Sequence, residues 1–116
     1  MPNWYVINVK PKKEFQVERL FSEGGFKYYN PVYKQDDRVR PFFPGYGFLV
    51  FEFPNQYQMV KYTRGIKRVV GNKEGPIPIP DEVIQEIKAR EIEGLIELEK
   101  HGAMPQVGDE IEVAEG

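Results

Sequence analysis

Cysteine is absent from this sequence of 116 residues, and histidine occurs once, as His101. The chain therefore has no disulfide framework and no thiolate metal site, which is typical of a reducing compartment. No apolar run approaches the roughly 20 residues that cross a bilayer. The first residues, MPNWYVINV, also lack the basic start and long apolar stretch of a signal peptide. We expect one compact domain in the cytoplasm, with no membrane association.

The sequence also lacks the residue patterns of an enzyme. His101 lies in an acidic C-terminal segment, and the adjacent Asp36 and Asp37 lie in a charged loop, so neither suggests a nucleophile and its base. The glycines of GNKEGP, residues 71–76, lack the GK[ST] ending of a phosphate-binding loop and indicate a turn. We expect no catalysis, no cofactor and no metal site.

Charge is distributed unevenly along the chain. Residues 1–73 hold 13 lysines and arginines against 6 acidic residues, whereas residues 74–116 hold 3 against 12. This division is typical of a basic body that contacts a polyanion, with an acidic tail, but a solvated surface with an acidic terminal helix explains it equally well.

The order of local patterns predicts an α+β fold. Strands are predicted over 4–9, 26–33, 42–53 and 66–70, and helices over 12–23, 56–64 and from Asp81 onward, through or past Arg90, with a possible break at Gly94. The Gly/Pro-rich segment 71–80 reads as a connector. This order describes a ferredoxin-like sandwich, in which a four-stranded antiparallel sheet carries helices on one face.

The strand FFPGYGFLVFEF, residues 42–53, has apolar side chains on both of its faces. Alternation places Gly47, Leu49, Phe51 and Phe53 beneath the helices and turns Tyr46, Phe48 and Val50 to the opposite side. That opposite side needs a binding partner or an internal cover, for which the last helix is the candidate.

Two families share features with this strand. GYGFLVF, residues 45–51, fits the central-strand signature of RNA recognition motifs, which predicts single-stranded RNA stacked on Tyr46 and Phe48, although Pro44 stands where a basic residue is expected. WYVINVKPKKEFQVERL, FFPGYGFLVFEF, VKYTRGIKRVVGNKEGPIPIP and VGDEIEVAEG, in this order, resemble the NusG family of transcription elongation factors, most closely its specialised RfaH-like paralogs.

The NusG resemblance runs from Trp4 to the end of the chain and implies two parts. Residues 1–92 correspond to the family's N-terminal (NGN) domain. Residues 93–116 correspond to a helix end, a linker and the truncated start of a C-terminal KOW domain. Contacts with a ribosomal protein or a termination factor are implied only for that missing C-terminal domain.

The resemblance also implies a partner and three sets of site residues. The family's N-terminal domain binds the clamp helices of the RNA polymerase β′ subunit through an apolar depression on the sheet, and it modulates pausing, processivity and antitermination. The positions implied to contact the clamp helices are Asn8, Phe43, Pro44, Tyr46 and Phe48, and Asn8 replaces an aromatic residue of the RfaH-like pattern. The positions implied to face the polymerase β gate loop are Lys61, Tyr62, Thr63 and Arg64. Those implied to face upstream or non-template DNA are Lys10, Lys12, Lys13 and Arg19.

Each set also has a purely structural explanation. Phe43 and Tyr46 could serve ordinary core or turn packing. Thr63 and Arg64 could simply finish a helix before Gly65. The lysines could be solvated residues at a helix start, although cations are unfavourable there because of the helix dipole.

Overall fold

The computed structural model describes residues 2–97. Its elements, in chain order, are β1 (Pro2–Val9), α1 (Glu14–Glu23), β2 (Tyr28–Tyr29), β3 (Val32–Gln35), β4 (Arg38–Pro41), β5 (Tyr46–Glu52), α2 (Tyr57–Lys61), β6 (Ile66–Val69), β7 (Gly71–Asn72), β8 (Gly75–Pro76), β9 (Pro78–Ile79), α3 (Asp81–Lys88), β10 (Glu91–Ile92) and β11 (Leu95–Ile96). This mixture of three helices with an antiparallel sheet confirms the predicted α+β class.

The main sheet is built around β1, its central strand. The strand order is β2-β5-β1-β6, and β1 pairs with β5 in antiparallel register, so that Trp4 lies opposite Val50 and Asn8 opposite Tyr46. A fifth strand, β9, pairs with the first half of β1 through Trp4 and Ile79. Within residues 2–97 the sheet thus has five strands rather than the predicted four. The fifth comes from the expected connector, whose prolines are tolerated at a sheet edge.

The first face of the sheet is covered by α1 and α2. Val17 and Phe21 of α1 and Val60 of α2 belong to one core cluster with Leu49 and Phe51 of β5. The predicted alternation is therefore confirmed for Leu49 and Phe51. Phe53 differs, because it lies just after β5 with 37% of its surface exposed and makes an edge contact with Tyr57.

The second face of the sheet is partly covered by α3 and the β10–β11 hairpin. Ile84 and Ile87 of α3 and Ile96 of β11 pack with Trp4 and Phe48 in a second core cluster. The expectation of helices on one face only is therefore wrong, and the last helix supplies the internal cover that the sequence left open. The Trp4 indole N–H donates to Asp81 Oδ1 at 3.0 Å, which ties the first residue of α3 to β1.

The last helix, α3, is shorter than predicted, since its apolar pattern suggested a helix that continues through or past Arg90. It ends at Lys88, and the chain then reverses through Glu93 and Gly94, whose φ angles of 56° and 83° suit a two-residue hairpin turn. The Tyr29 hydroxyl donates to the Glu91 carboxylate. Burial, that hydrogen bond and the Glu91 charge raise the pKa of Tyr29 above its usual value. The hairpin is thereby held against the sheet.

The predicted division of the chain at residue 92 falls inside this hairpin, where Ile92 pairs with Leu95. Residues 93–97 complete the hairpin instead of forming the expected helix end. The linker and KOW start predicted for 98–116 lie outside the described residues. The division into two domains stays a prediction.

Replacement of Gly47 by alanine is expected to destabilise the fold. A Cβ at position 47 would lie 1.9 Å from Tyr28 Oη, which packs directly over this residue. Overpacking of this kind usually raises the free energy of the native state by about 1–3 kcal/mol. Chemical denaturation measures the loss, which should shrink in a Tyr28→Ala background. Equal losses in both backgrounds would contradict the contact.

Replacement of Glu18 by glutamine is expected to stabilise the protein at neutral pH. Burial raises the pKa of Glu18, whose Oε1 accepts from Asn30 Nδ2 at 3.4 Å, while the buried Asn30 Oδ1 has no hydrogen-bond partner among the described residues. A glutamine removes the desolvated charge and offers Asn30 a donor, for a gain of about 1 kcal/mol.

The pH dependence gives this substitution its control. Because the folded-state pKa of Glu18 is raised, wild-type stability is complete below the unfolded value and falls as pH rises through the folded value. The advantage of Glu18→Gln should therefore be large at pH 7 and shrink toward pH 4.5, measured as the difference in Tm. Glu23→Gln, an exposed change on the same helix, should show no such trend.

Candidate functional site

A tight turn at Phe43–Tyr46 leads into β5. The Tyr46 amide donates to the Phe43 carbonyl at 3.0 Å, Pro44 occupies the second position, and Gly45 has φ +85°. This combination is a type II turn, for which proline fixes the second residue and glycine accepts the positive φ of the third. The sequence FPGY therefore has a direct structural meaning, and the turn presents Pro44 to solvent.

Both ends of the Gly45 residue are held by hydrogen bonds. Its carbonyl accepts from the Val9 amide at 2.8 Å and from Asn8 Nδ2 at 2.7 Å, and its amide donates to Glu14 Oε2 at 2.8 Å. The end of β1, the start of α1 and the turn are thus joined at one residue. Asn8, predicted as a contact residue, is also a structural tie.

Glu14 is a functional candidate that the sequence reasoning missed. Its side chain is buried although it is charged, and it begins α1, where a carboxylate is favoured by the helix dipole. A buried carboxylate needs a hydrogen-bond partner, and here the partner is the Gly45 amide. An acid directly after the basic run KPKK was the available signal, but its target lies 31 residues away in sequence.

A row of aromatic rings runs along the second face behind this turn. Phe43 meets Phe42 at 4.8 Å and Phe48 at 6.0 Å between ring centroids, both edge to face. Phe48 in turn stacks on Tyr29 at 6.1 Å. Such edge-to-face contacts fix ring orientation in addition to burying apolar area. The half-buried Phe43 ring is therefore supported on two sides by other rings.

The predicted clamp-binding residues lie together at one end of the second face. The pairing of Asn8 with Tyr46 puts them side by side, and the type II turn adds Phe43 and Pro44. We call these four residues the Tyr46 surface. Tyr46 is half-buried and joins neither core cluster. Phe48 is different, because it is only 8% exposed beneath Ile84 and Ile96, and so it forms the floor behind the surface.

The predicted gate-loop residues end α2 and lead into β6. Tyr62 is 75% exposed, and Lys61 Nζ lies 5.7 Å from the Tyr62 ring centroid. Thr63 donates its hydroxyl to the Met59 carbonyl at 2.7 Å, which is a helix-ending contact and favours the structural explanation for Thr63. Lys61, Tyr62 and Arg64 keep their side chains exposed.

The predicted DNA-contacting lysines lie beside Gly65, the residue after Arg64. The Lys10 amide donates to the Gly65 carbonyl at 2.9 Å, and Lys13 Cβ lies 3.9 Å from the position of a Cβ on Gly65. The turn that carries Lys10, Lys12 and Lys13 is thereby placed next to Arg64. Arg19 follows the buried Val17 by two residues and lies on the solvent side of α1.

Residues 2–97 contain no cluster of three or more histidine, cysteine or acidic side chains arranged to hold a metal ion. Among the helices of this same range, none combines the length and the apolar character that crossing a bilayer requires.

Comparison with known proteins places these features in a family. The family profile described as "Transcription termination factor nusG" matches residues 2–88. A solved structure titled "Domain interaction in Thermotoga maritima NusG" matches at 20% identity with a TM-score of 0.54, over 71% of this chain and 52% of that one. At this identity the likeness shows the fold alone, and the chain spans about half of that structure. A search of curated proteins finds no match.

The family match covers every element from β1 to α3, including the FPGY turn and the Lys10–Lys13 turn. Its extent and the shared fold lead to one conclusion: the chain belongs to the NusG family of transcription elongation and termination factors and carries that family's N-terminal domain.

Proposed function

We propose that this domain binds the clamp helices of the RNA polymerase β′ subunit through the Tyr46 surface and thereby modulates elongation. The observation that carries the proposal is the position of Phe43 and Tyr46. Within residues 2–97, Tyr46 joins neither core cluster and Phe43 lies at the edge of the second, whereas α3 closes the other end of the same sheet face. The turn between the two rings is fixed at Gly45. Factors of this family act on transcription, which supplies the class of partner.

The chemistry of the Tyr46 surface suits a helical partner. Aromatic side chains contribute a large contact area with few rotatable bonds, so little conformational entropy is lost when they are buried. Phe43 is already braced by Phe42 and Phe48, which reduces that loss further. The tip of a helical hairpin would contact these rings and the exposed Pro44, while the amide of Asn8 stays bonded to Gly45.

A second contact by Lys61, Tyr62, Thr63 and Arg64 with the polymerase β gate loop would explain an effect on pausing. Tyr62 and Lys61 are exposed enough to reach a partner. A factor that bridges clamp and gate stabilises the closed state of the nucleic-acid channel over the open one. Suppression of pausing and antitermination follow from that bias.

The turn that carries Lys10, Lys12 and Lys13, called the basic turn below, would contact upstream or non-template DNA once the domain is docked. Lys10, Lys12 and Lys13 are exposed and lie close to Arg64, whereas Arg19 stands apart on α1. A few cations hold DNA weakly at physiological salt, but docking on polymerase raises their effective concentration near DNA. We place this activity in the cytoplasm, and we assign any contact with a ribosomal protein or termination factor to a C-terminal KOW domain.

Single-stranded RNA binding is less well supported by the structure. RNA recognition motifs stack bases on an open sheet face. Here Phe48, one of the two expected stacking rings, is covered by Ile84, Ile87 and Ile96. Only Tyr46 would remain available to a base.

Titration of an RNA polymerase clamp-helix fragment tests the proposal. Tyr46→Ala and Phe43→Ala should each weaken binding about tenfold to thirtyfold, because central aromatic anchors contribute about 2 kcal/mol. Tyr62→Ala, which removes an exposed aromatic ring at the end of α2, is the matched control and should bind this fragment normally. If the wild-type protein does not bind the fragment but binds single-stranded RNA through Tyr46, the proposal of polymerase docking is wrong.

A second test addresses the role of Glu14 as a positioning residue. Glu14→Ala should weaken fragment binding severalfold, because the Gly45 amide loses its acceptor and the turn is no longer held. Glu14→Gln keeps an acceptor oxygen and should restore most of the affinity in the same titration. If both variants bind like wild type while remaining folded, the turn does not need Glu14.

A further inference from the structure

Strand β6 contains an irregularity that changes which way its side chains point. Ile7 pairs with Val69 and Asn8 with Arg68, but Val9 pairs with Ile66, so two residues of β6 are spanned by one step of β1. This is a β-bulge, in which one extra residue is inserted into one strand of an antiparallel pair. Lys67 is the inserted residue.

The bulge turns two successive cations to solvent. Ile66 and Val69 are three residues apart, yet both belong to the first-face core cluster, which regular alternation would not allow. Lys67 and Arg68 between them are both exposed. Arg68 shares the second face with Asn8, its partner in the pairing, and Asn8 in turn lies beside Tyr46.

These two cations lie close to the basic turn that follows β1. Gly65, just before β6, is bonded to Lys10 and lies beside Lys13. The exposed cations at this end of the sheet are Lys10, Lys12, Lys13, Arg64, Lys67 and Arg68. The only acid in segments 8–14 and 64–70 is Glu14, and its buried carboxylate is taken up by Gly45. The cations therefore face no exposed carboxylate from either segment.

We propose that Lys67 and Arg68, brought out together by the β-bulge, bind backbone phosphates of a single DNA strand and connect the basic turn to the Tyr46 surface. This proposal rests on the DNA contact of the proposed function and assigns it two further residues. Asn8 of β1 lies between Tyr46 and Arg68, and the Lys10–Lys13 turn follows β1 directly, so the pair borders both the Tyr46 surface and this turn.

The arrangement favours a flexible single strand over a duplex. Lys67 and Arg68 are adjacent in sequence, with Cα atoms about 3.8 Å apart, and Lys12 and Lys13 of the turn after β1 are adjacent as well. A single strand can bend so that successive phosphates meet closely spaced cations, whereas the phosphates of a duplex keep a fixed spacing. Arg68 can also bind a phosphate in bidentate fashion.

Fluorescence anisotropy with labelled single-stranded DNA, at salt concentrations from about 50 to about 200 mM, tests the pair directly. Lys67→Gln combined with Arg68→Gln should weaken binding about tenfold at the lowest salt and flatten the slope of log K against log salt by about 1.4, which corresponds to two single-strand phosphate contacts. The matched control, Lys34→Gln with Arg38→Gln, removes the same charge from the β3–β4 hairpin and should leave the slope unchanged.

Four results would overturn the inference. Two concern the variants: an equal loss in the control variant, which would indicate net charge alone, and an unchanged slope in the Lys67/Arg68 variant. The other two are no wild-type binding at low salt and, in the same assay with duplex DNA, a larger loss than with single-stranded DNA. Thermal melts confirm that both variants are folded.

The clamp-helix titration separates this inference from the proposed function. If the Lys67/Arg68 variant binds DNA normally but loses the fragment, the pair contacts an acidic protein surface, and polymerase docking stands without the DNA role. If wild type does not bind the fragment while the DNA slopes change as expected, the phosphate contact stands and polymerase docking fails.

Discussion

The hydrogen bonds around Gly45 are the constraint on which the candidate site depends. The Val9 amide and the Asn8 side chain, both from β1, donate to its carbonyl, and its own amide donates to the Glu14 carboxylate of α1, so two separate segments are fixed to a single turn. Each bond is ordinary in strength, but the Glu14 carboxylate is buried and would be costly to leave unpaired. The positions of Phe43 and Tyr46 on either side of Gly45 follow from this arrangement.

The sheet is used differently on its two faces. The first face is closed by α1 and α2 over Leu49 and Phe51. Within residues 2–97, the second is closed by α3 around Trp4 and Phe48, and Tyr46 stays outside both core clusters. A partial cover both stabilises the sheet and limits the size of the surface that a partner can occupy. The Phe48 ring illustrates the combination, since it supports Phe43 from below without itself being accessible.

Local patterns predicted the elements well, because alternation and helix-stop signals are properties of neighbouring residues. Gly24 and Gly25 follow α1, and Leu49 and Phe51 point to the predicted side. The contribution of α3 was not predictable in the same way. Its pattern indicated a helix, but whether Ile84 and Ile87 meet the first or second face depends on where β9 joins β1. The helix likewise ends at Lys88 although its apolar spacing continues, because the chain passes into the β10–β11 hairpin from Glu91.

The candidate site was only partly predictable. The family resemblance placed Phe43, Pro44 and Tyr46 in one segment, and the β1–β5 pairing explains why Asn8 joins them. Glu14 and Arg68 were not found, because their importance depends on partners far away in sequence, Gly45 and Asn8. The bulge at Lys67 gives no sequence signal comparable to a proline or glycine. It is visible only in the pairing.

The β10–β11 hairpin lies beyond the segment that matches the family, which ends at residue 88. Nevertheless Ile96 belongs to the core around Phe48, and Glu91 accepts from Tyr29. A fragment that ends at residue 88 would expose part of that core and would leave the Tyr29 hydroxyl without its acceptor, Glu91. The folding unit therefore extends to at least Ile96, eight residues beyond the end of the family match at residue 88.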